Sequence, residues 1–244
     1  MPSPHRWETK GKHKTTIDMG ILDFLKRKTQ PEHYSEDNGK TASKNTATWF
    51  NTSDIKSMTM GGNLWIYPCD ITAIAEKMFP TMLFVMGNSE RIRRFVPDAD
   101  FSTEEKAKAY LVDKIINAER GHHFSYCIQQ GDGLLGMINI YTPEASEEYM
   151  GFPHWTMDFF ILDPVEGKGI MKQGLIRALY QLKTAIHVPE IYALVDPRNT
   201  RCMNLMSSLP FELEDNTGFS SSDGNGPAPK VFVCKLSTLR FERQ

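Results

Sequence analysis

Two glycines one residue apart, Gly167 and Gly169, lie between an apolar run and a long helical segment. The run Phe159–Asp163 has the composition of a strand, and residues 170–187 are predicted to form the helix. Such a turn exposes backbone N–H groups at the start of a helix, where the helix dipole also favours negative charge. The pattern predicts an anion site, and a pyrophosphate is a ligand of suitable size.

Two better-known phosphate motifs fit this turn poorly. A dinucleotide-binding GxGxxG motif would need glycine at the position of Lys172, and a P-loop would need Gly-Lys followed by Ser or Thr. A Rossmann-type oxidoreductase therefore ranks third among the possible functions.

The elements around the turn alternate between strands and helices. Strands are predicted at residues 64–67, 123–129, 134–141, 155–162, 190–195 and 231–236, with the second and third joined by a hairpin at Gly131-Asp132-Gly133. Helices are predicted at residues 71–86, interrupted near Pro80, and at 102–120, 170–187 and 200–209, the second opened by a Ser102–Glu105 capping box. This order indicates α/β or α+β architecture.

At this point the sequence resembles the GNAT superfamily of N-acetyltransferases. Beside the glycine turn, the resemblance rests on Asp196–Thr200 with the downstream apolar positions Leu205, Leu209 and Phe211, and on Leu134–Ile138 upstream. It covers roughly residues 63–236 and is strongest for the ribosomal-protein and aminoglycoside types. It implies a mixed, mostly antiparallel central sheet flanked by helices.

The resemblance also implies a set of residues for acetyl-CoA, the expected co-substrate. Backbone groups of the turn would hold the pyrophosphate, the end of the preceding strand would run beside the pantetheine arm, and the next helix would approach the same arm. The residues in these roles are Gly167, Lys168, Gly169, Ile170 and Met171; Ile161, Leu162 and Asp163; and Asn199 and Cys202. No metal is implied.

Asp158 interrupts an apolar strand and is the expected general base, since the attacking amine must lose a proton. The alternative is that Asp158 only orders a neighbouring loop. Phe152, His154 and Trp155 precede this strand and are expected either to line the acceptor pocket or simply to pack there. His122-His123 more often begins a strand than forms a site.

The expected function is transfer of an acetyl group from acetyl-CoA to a primary amine of a small molecule or a protein, by direct attack in a ternary complex. A covalent intermediate on Cys202 is the minority mechanism. The alternative function is a non-catalytic acyl-CoA-binding regulatory or scaffold module. Two departures from the family pattern favour it: the altered loop, in which Pro164 and Glu166 stand where Gln or Arg is usual, and Met206 in place of a Tyr that protonates the thiolate. Pro210 before Phe211 is a further departure.

Bulk properties limit the remaining possibilities. With net charge −2 and a pI near 6.4, the chain lacks the positive field that nucleic-acid binding needs. The four separated cysteines and the absence of a leader or spanning segment predict a cytoplasmic protein. Residues 1–60 are expected to be a disordered extension, with a weak possibility of membrane contact through residues 19–28, and residues 61–244 to form the acetyltransferase domain. The oligomeric state is left open.

Overall fold

The computed structural model describes residues 49–96, 98–214 and 227–241. Eight strands form one sheet in the order β1-β2-β3-β4-β5-β6-β8-β7, and every neighbouring pair is antiparallel except β5 and β6. The expected mixed, mostly antiparallel sheet is confirmed. The strands are β1 (Met58–Gly61), β2 (Leu64–Pro68), β3 (His123–Gln130), β4 (Gly133–Tyr141), β5 (Thr156–Ile161), β6 (Glu190–Val195), β7 (Glu212–Glu214) and β8 (Lys230–Lys235).

Seven α-helices accompany the sheet within the described ranges. The predicted break near Pro80 is present, and two helices continue into a π-helical turn, Leu83–Gly87 after α2 and Leu182–Ile186 after α6. The helices are α1 (Ile71–Ala75), α2 (Phe79–Met82), α3 (Glu90–Phe95), α4 (Glu104–Glu119), α5 (Pro143–Met150), α6 (Ile170–Gln181) and α7 (Thr200–Ser207).

Helix α4 begins one residue later than the predicted capping box. Thr103 is the N-cap, and its hydroxyl accepts a hydrogen bond from the N–H of Lys106 at 3.2 Å. Ser102 cannot take this place because it belongs to the preceding turn, where its N–H donates to the Asp100 carboxylate at 3.0 Å. Thr103 lies one position further along the chain and is also a favoured N-cap residue.

Helix α5 lies between the predicted strands 134–141 and 155–162, where no helix was predicted. Thr142 caps it by accepting from the N–H of Ala145 at 3.3 Å, and Pro143 occupies the first helical position. A capping residue followed by proline is a known helix-start signal. The signal was therefore present in the sequence, although the helix is short and mostly polar.

Each face of the sheet has its own apolar core. Along β5, Met157 and Phe159 belong to the core covered by α6 and α7, whereas Phe160 belongs to the core covered by α1–α4. The alternation follows from the two-residue period of a strand. It places Asp158 on the α4 face and the cavity-lining Phe159 on the α6 face.

The ordered domain starts before the predicted boundary at residue 61. Phe50, Ile55 and Met60 are all buried in the core on the α6 face, and the Phe50 ring lies 4.8 Å from that of Phe124. Burying a side chain of this size contributes about 1.5–3 kcal/mol, which is enough to fix a short segment on the sheet. Residues 1–48, with the proposed membrane contact at 19–28, lie outside the described residues.

The sheet opens between its two parallel strands. Strand β5 pairs with β4 through six residues, but its register with β6 contains the single pair Thr156 and Tyr192. The N–H of Tyr192 donates to the carbonyl of Trp155 at 2.8 Å, and beyond this point β5 and β6 diverge. The carboxyl-terminal half of β5 is therefore left with a free edge.

Candidate active site

The glycine turn forms a cluster of free backbone donors at the start of α6. Gly167 and Gly169 have φ angles of 76° and 74°, a conformation that glycine adopts without steric cost. Gly169 is the N-cap and supplies no side-chain partner, and the first helical bond runs from Gln173 to the Gly169 carbonyl. Among the described residues, no hydrogen bond engages the N–H groups of residues 167–172. Such a cluster of unpaired donors at a helix start is the arrangement that an anion site needs.

A cavity of about 520 Å³ lies between this turn and the opening of the sheet. It is large enough for an extended ligand with a phosphate group at one end. Its walls are the end of β5, the glycine turn with the start of α6, the beginning of α7, and one side chain from α3. The lining residues are Phe159, Phe160, Ile161, Asp163, Val165–Lys172, Asn199, Arg201, Cys202, Asn204, Leu205 and Arg91.

Most of the predicted co-substrate residues line this one cavity, and Leu162 is the exception. Leu162 is buried in the core on the α4 face, its N–H donates to the Leu135 carbonyl, and its own carbonyl accepts from Val165. The carbonyl of Ile161 is also occupied, by the Arg91 guanidinium at 2.7 Å. A ligand arm beside β5 would therefore pair with backbone groups that precede Leu162.

Asn199 and Cys202, at the start of α7, both line the cavity. The Asn199 side chain caps α7 by accepting from the N–H of Cys202 at 3.1 Å. Burial raises the pKa of the Cys202 thiol to about 12. A thiol with that pKa remains protonated at neutral pH and is a poor nucleophile, which disfavours the covalent mechanism.

Two arginines that the sequence reasoning missed neutralise the acidic residues of the turn. Arg91 of α3 contacts the Asp163 carboxylate at 2.5 Å and the Glu166 carboxylate at 3.6 Å. Arg201 of α7 donates to the other Glu166 oxygen at 2.6 Å. Arg201 stands two positions after Asn199 and could have been included. Arg91 lies far upstream, and no local pattern connects it with the turn.

Asp158 lies on the α4 face, on the opposite side of β5 from Phe159. It is half-buried, and its two carboxylate oxygens accept from the Asn139 amide at 2.5 Å and from the Tyr141 hydroxyl at 2.6 Å. Burial raises the pKa of this carboxyl, opposed by the charge of Lys114 and by both hydrogen bonds. A carboxylate with a raised pKa beside an opening in the sheet has the properties of a general base.

Further polar groups on two strands and α4 hold Asp158 in place. The Lys114 ammonium, whose residue is 3% exposed, donates to the Tyr141 hydroxyl at 3.3 Å and lies over the rings of Tyr110 and Tyr141. Asn139 also donates to the Tyr110 hydroxyl at 3.0 Å and accepts from Ser125 at 2.7 Å. The sequence gave no sign of this network, because its members come from separate elements.

The three aromatic residues expected at the acceptor pocket are divided by the structure. Phe152 and His154 both contact the ring of Tyr192, with ring centroids 5.2 and 4.8 Å away, beside the single residue pair that joins β5 and β6. Trp155 is instead buried on the α6 face, where its ring meets Trp49 at 5.9 Å. It turns away because successive residues of a strand point to opposite faces. Trp155 is a packing residue, and we do not retain it in the pocket.

Other features noted in the sequence form no second site in the part of the chain that the structure describes. No group of three or more potential metal ligands occurs there, and no described helix is long and apolar enough to cross a membrane. His123 begins β3, as the plainer interpretation held, and is buried with both ring nitrogens unpartnered. Met206, the position of the missing tyrosine, is fully buried.

The open edge of β5 and the N-terminus of α6 share one cavity. The family model for the acetyltransferase (GNAT) domain matches residues 71–212, which is more than half of the chain. The chain therefore belongs to the GNAT acetyltransferase family, and the predicted resemblance is confirmed. A search of curated proteins finds no match.

Solved structures with the same fold include several ribosomal-protein acetyltransferases. The ribosomal-protein-S5-alanine acetyltransferase of Vibrio fischeri aligns with a TM-score of 0.59 and 14% identity, over 75% of this chain and 98% of that one. RimJ of Mycobacterium smegmatis, in complex with CoA-disulfide, gives 0.58 and 14% over 73% and 85%. RimL, a ribosomal L7/L12 alpha-N-protein acetyltransferase, gives 0.57 and 14% over 73% and 92%. At this identity the likeness establishes the fold.

Proposed function

We propose that the chain transfers an acetyl group from acetyl-CoA to a primary amine by direct attack in a ternary complex. The observation that carries the proposal is the single cavity joining the free N–H groups of residues 167–172 to the open edge of β5. The first feature suits a pyrophosphate and the second suits the extended pantetheine arm. Both are needed to place a thioester beside the gap between β5 and β6.

Asp158 is the proposed base. An amine entering from the α4 face would attack the thioester carbonyl, lose its proton to Asp158 directly or through water, and displace the CoA thiolate as the C–S bond breaks. The thiolate can leave without a protein acid because an ordinary thiol has a pKa near 8.5. The buried Met206 therefore does not prevent turnover. The acetylated amine and free CoA are the products.

A protein amine is the acceptor we favour. Support comes from the names of the structural neighbours, two of which are acetyltransferases of ribosomal proteins. The partly exposed pair Phe152 and His154, which contacts Tyr192 just before the paired start of β5, offers a surface for a peptide chain. We also propose a cytosolic location, for which the four free cysteines are the support.

The test begins with calorimetric titration of the protein with acetyl-CoA, CoA and NAD. Binding of the first two and not of NAD is expected, followed by thiol release when peptides with free N-termini are supplied. Small amines are screened in parallel, and turnover of those alone would replace the protein acceptor. Tight binding without thiol release from any amine would favour the acyl-CoA-binding module instead.

Substitution of the proposed base separates catalysis from binding. Asp158→Asn keeps the shape of the side chain and is expected to lower turnover by roughly two to four orders of magnitude with acetyl-CoA affinity nearly unchanged. Asp132→Asn, an exposed change in the β3–β4 turn, is the matched control. An Asp158→Asn enzyme as fast as the control would assign Asp158 to a structural role.

A further inference from the structure

Glu166 occupies an unusual position, since it lies beside the anion site and between two arginines. One carboxylate oxygen is 3.6 Å from Arg91, and the other accepts from Arg201 at 2.6 Å. A carboxylate here would repel a bound phosphate by ordinary Coulomb interaction. In the protein without ligand, the two guanidinium groups balance the negative charge of Glu166. The two arginines differ in how firmly they are held.

Arg91 is fixed by several contacts. Its guanidinium donates to the Asp163 carboxylate through two nitrogens, at 2.5 and 3.2 Å, and to the Ile161 carbonyl at 2.7 Å. These bonds tie α3 to the end of β5. Moving Arg91 towards a ligand would break all of them, so this arginine stays where it is.

Arg201 is held by one exposed ion pair. Its side chain is 71% exposed, and Glu166 is the one described partner of its guanidinium. The guanidinium end of this pair is open to solvent, which screens the interaction and leaves it weak. A guanidinium that binds a phosphate through two parallel hydrogen bonds gains more than it does from this pair. We therefore expect a lower free energy when the Arg201 guanidinium exchanges Glu166 for a phosphate as its partner.

The charge of the cavity favours the same exchange. Its lining has two more cationic side chains than carboxylates, the cations being Arg91, Lys168, Lys172 and Arg201 and the carboxylates Asp163 and Glu166. Lys168 already donates to the Pro164 carbonyl at 3.1 Å. Coenzyme A carries a pyrophosphate and a separate 3′-phosphate, so the backbone N–H groups of the turn cannot satisfy every phosphate oxygen.

We infer that Arg201 is a phosphate ligand for acyl-CoA and that Glu166 holds it beside the empty cavity until a phosphate displaces the carboxylate. The inference rests on the proposed function, because it assumes that acyl-CoA occupies this cavity. It adds a guanidinium from α7 to the lysines that the turn and the start of α6 already supply. Glu166 is then a positioning residue that lowers affinity slightly in exchange for keeping Arg201 in place.

The test measures calorimetric affinity for CoA at several salt concentrations. Arg201→Gln is expected to weaken binding about tenfold and to reduce its salt dependence, as loss of one phosphate contact should. Glu166→Gln is expected to tighten binding about two- to fivefold, because the exposed pair no longer has to be broken. In the double variant the gain from Glu166→Gln should disappear, since no arginine remains to be released.

Arg93→Gln is the matched control. Arg93 lies on α3 two residues from Arg91, is exposed, and donates to Asn88 at 3.1 Å without lining the cavity. Dephospho-CoA identifies the phosphate: a loss that persists with dephospho-CoA assigns Arg201 to the pyrophosphate, and a loss confined to CoA assigns it to the 3′-phosphate. Melting temperatures without ligand should change only slightly among the variants, because an ion pair near the surface contributes little to stability.

The inference and the proposed function fail in different ways. A wild-type protein that binds no CoA would refute the proposed function itself. A protein that binds and turns over acetyl-CoA, but in which Arg201→Gln has no larger effect than Arg93→Gln, would overturn the role of Arg201 alone. Weaker binding in Glu166→Gln would likewise show that the carboxylate supports the ligand and does not compete with it.

Discussion

Removal of the buried cation of the α4 face, by Lys114→Met, should make Asp158 a weaker acid. Lys114 donates to the Tyr141 hydroxyl at 3.3 Å, and that hydroxyl donates to Asp158 at 2.6 Å. Burial already raises the pKa of Asp158, and the charge of Lys114 is the largest influence that lowers it. Methionine keeps most of the volume of the lysine side chain and removes only the charge, so its effect should be electrostatic.

The size of the effect follows from the same two hydrogen bonds. They place the ammonium and the carboxylate within about 6 Å of each other, where two unit charges interact by about 3 kcal/mol at an effective dielectric constant near 20. This energy favours the ionised form of Asp158. Without it the pKa of Asp158 rises further, and the acidic limb of the pH–rate profile moves to higher pH. The rate on the plateau should change little, because the ionised base is the same group.

The direct assay is carbon-13 NMR of the aspartate carboxyl carbons during a pH titration. Asp158→Asn identifies the Asp158 signal, and the pH–rate profile of thiol release gives a second reading of the same group. Lys106→Met is the matched control, since Lys106 is an exposed lysine on the same helix that pairs with Asp100 at 2.6 Å. It should leave both measurements unchanged.

An Asp158 titration that is identical in wild type and in folded Lys114→Met would refute the electrostatic account of the network. Retained acetyl-CoA affinity and a cooperative thermal transition are the checks that the variant is folded. If the pKa of Asp158 measured by NMR changes in Lys114→Met but the pH–rate profile does not, Asp158 is coupled to Lys114 but is not the base.

Three further predictions concern the turn, the strands and a buried histidine. Gly169→Leu should abolish CoA binding in calorimetry while the protein still folds, since open space surrounds this glycine but its φ of 74° and the phosphate position both exclude a side chain. Gly136→Ala should destabilise the protein by about 1–3 kcal/mol in denaturant unfolding, because its Cβ would lie 2.4 Å from the Phe160 carbonyl oxygen; Gly133→Ala, with 3.4 Å available, should cost far less. Burial lowers the pKa of His123 to about 3, so the folded state binds fewer protons than the unfolded state and stability falls as pH drops from about 6.5 towards 3. At pH 5 the wild-type protein should have lost about 2 kcal/mol of its free energy of unfolding through His123, and His123→Phe should not show this loss. If the free energy of unfolding of His123→Phe falls with decreasing pH as steeply as that of wild type, His123 is not the group responsible.

Local patterns in the sequence were sufficient for most of the elements. Short apolar and aromatic runs located β2 to β6 and β8, and the Asp132-Gly133 step located the hairpin, because strand composition and turn chemistry depend on neighbouring residues. Gly167 and Gly169 located the turn before α6 for the same reason. Short elements with few apolar residues, such as β7 and α5, gave too little periodicity to be recognised.

The tertiary structure alone decided how charge is arranged around the site. Arg91 and Arg201 reach Glu166 from helices that are 110 residues apart in the chain, and Lys114 reaches Asp158 through Tyr141 from a third helix. No periodicity encodes such meetings, since each depends on how the helices pack against the two faces of the sheet. The sequence by itself determined which groups can bind an anion or accept a proton; packing determined their partners, because electrostatic interaction depends on distance in space and not on separation along the chain.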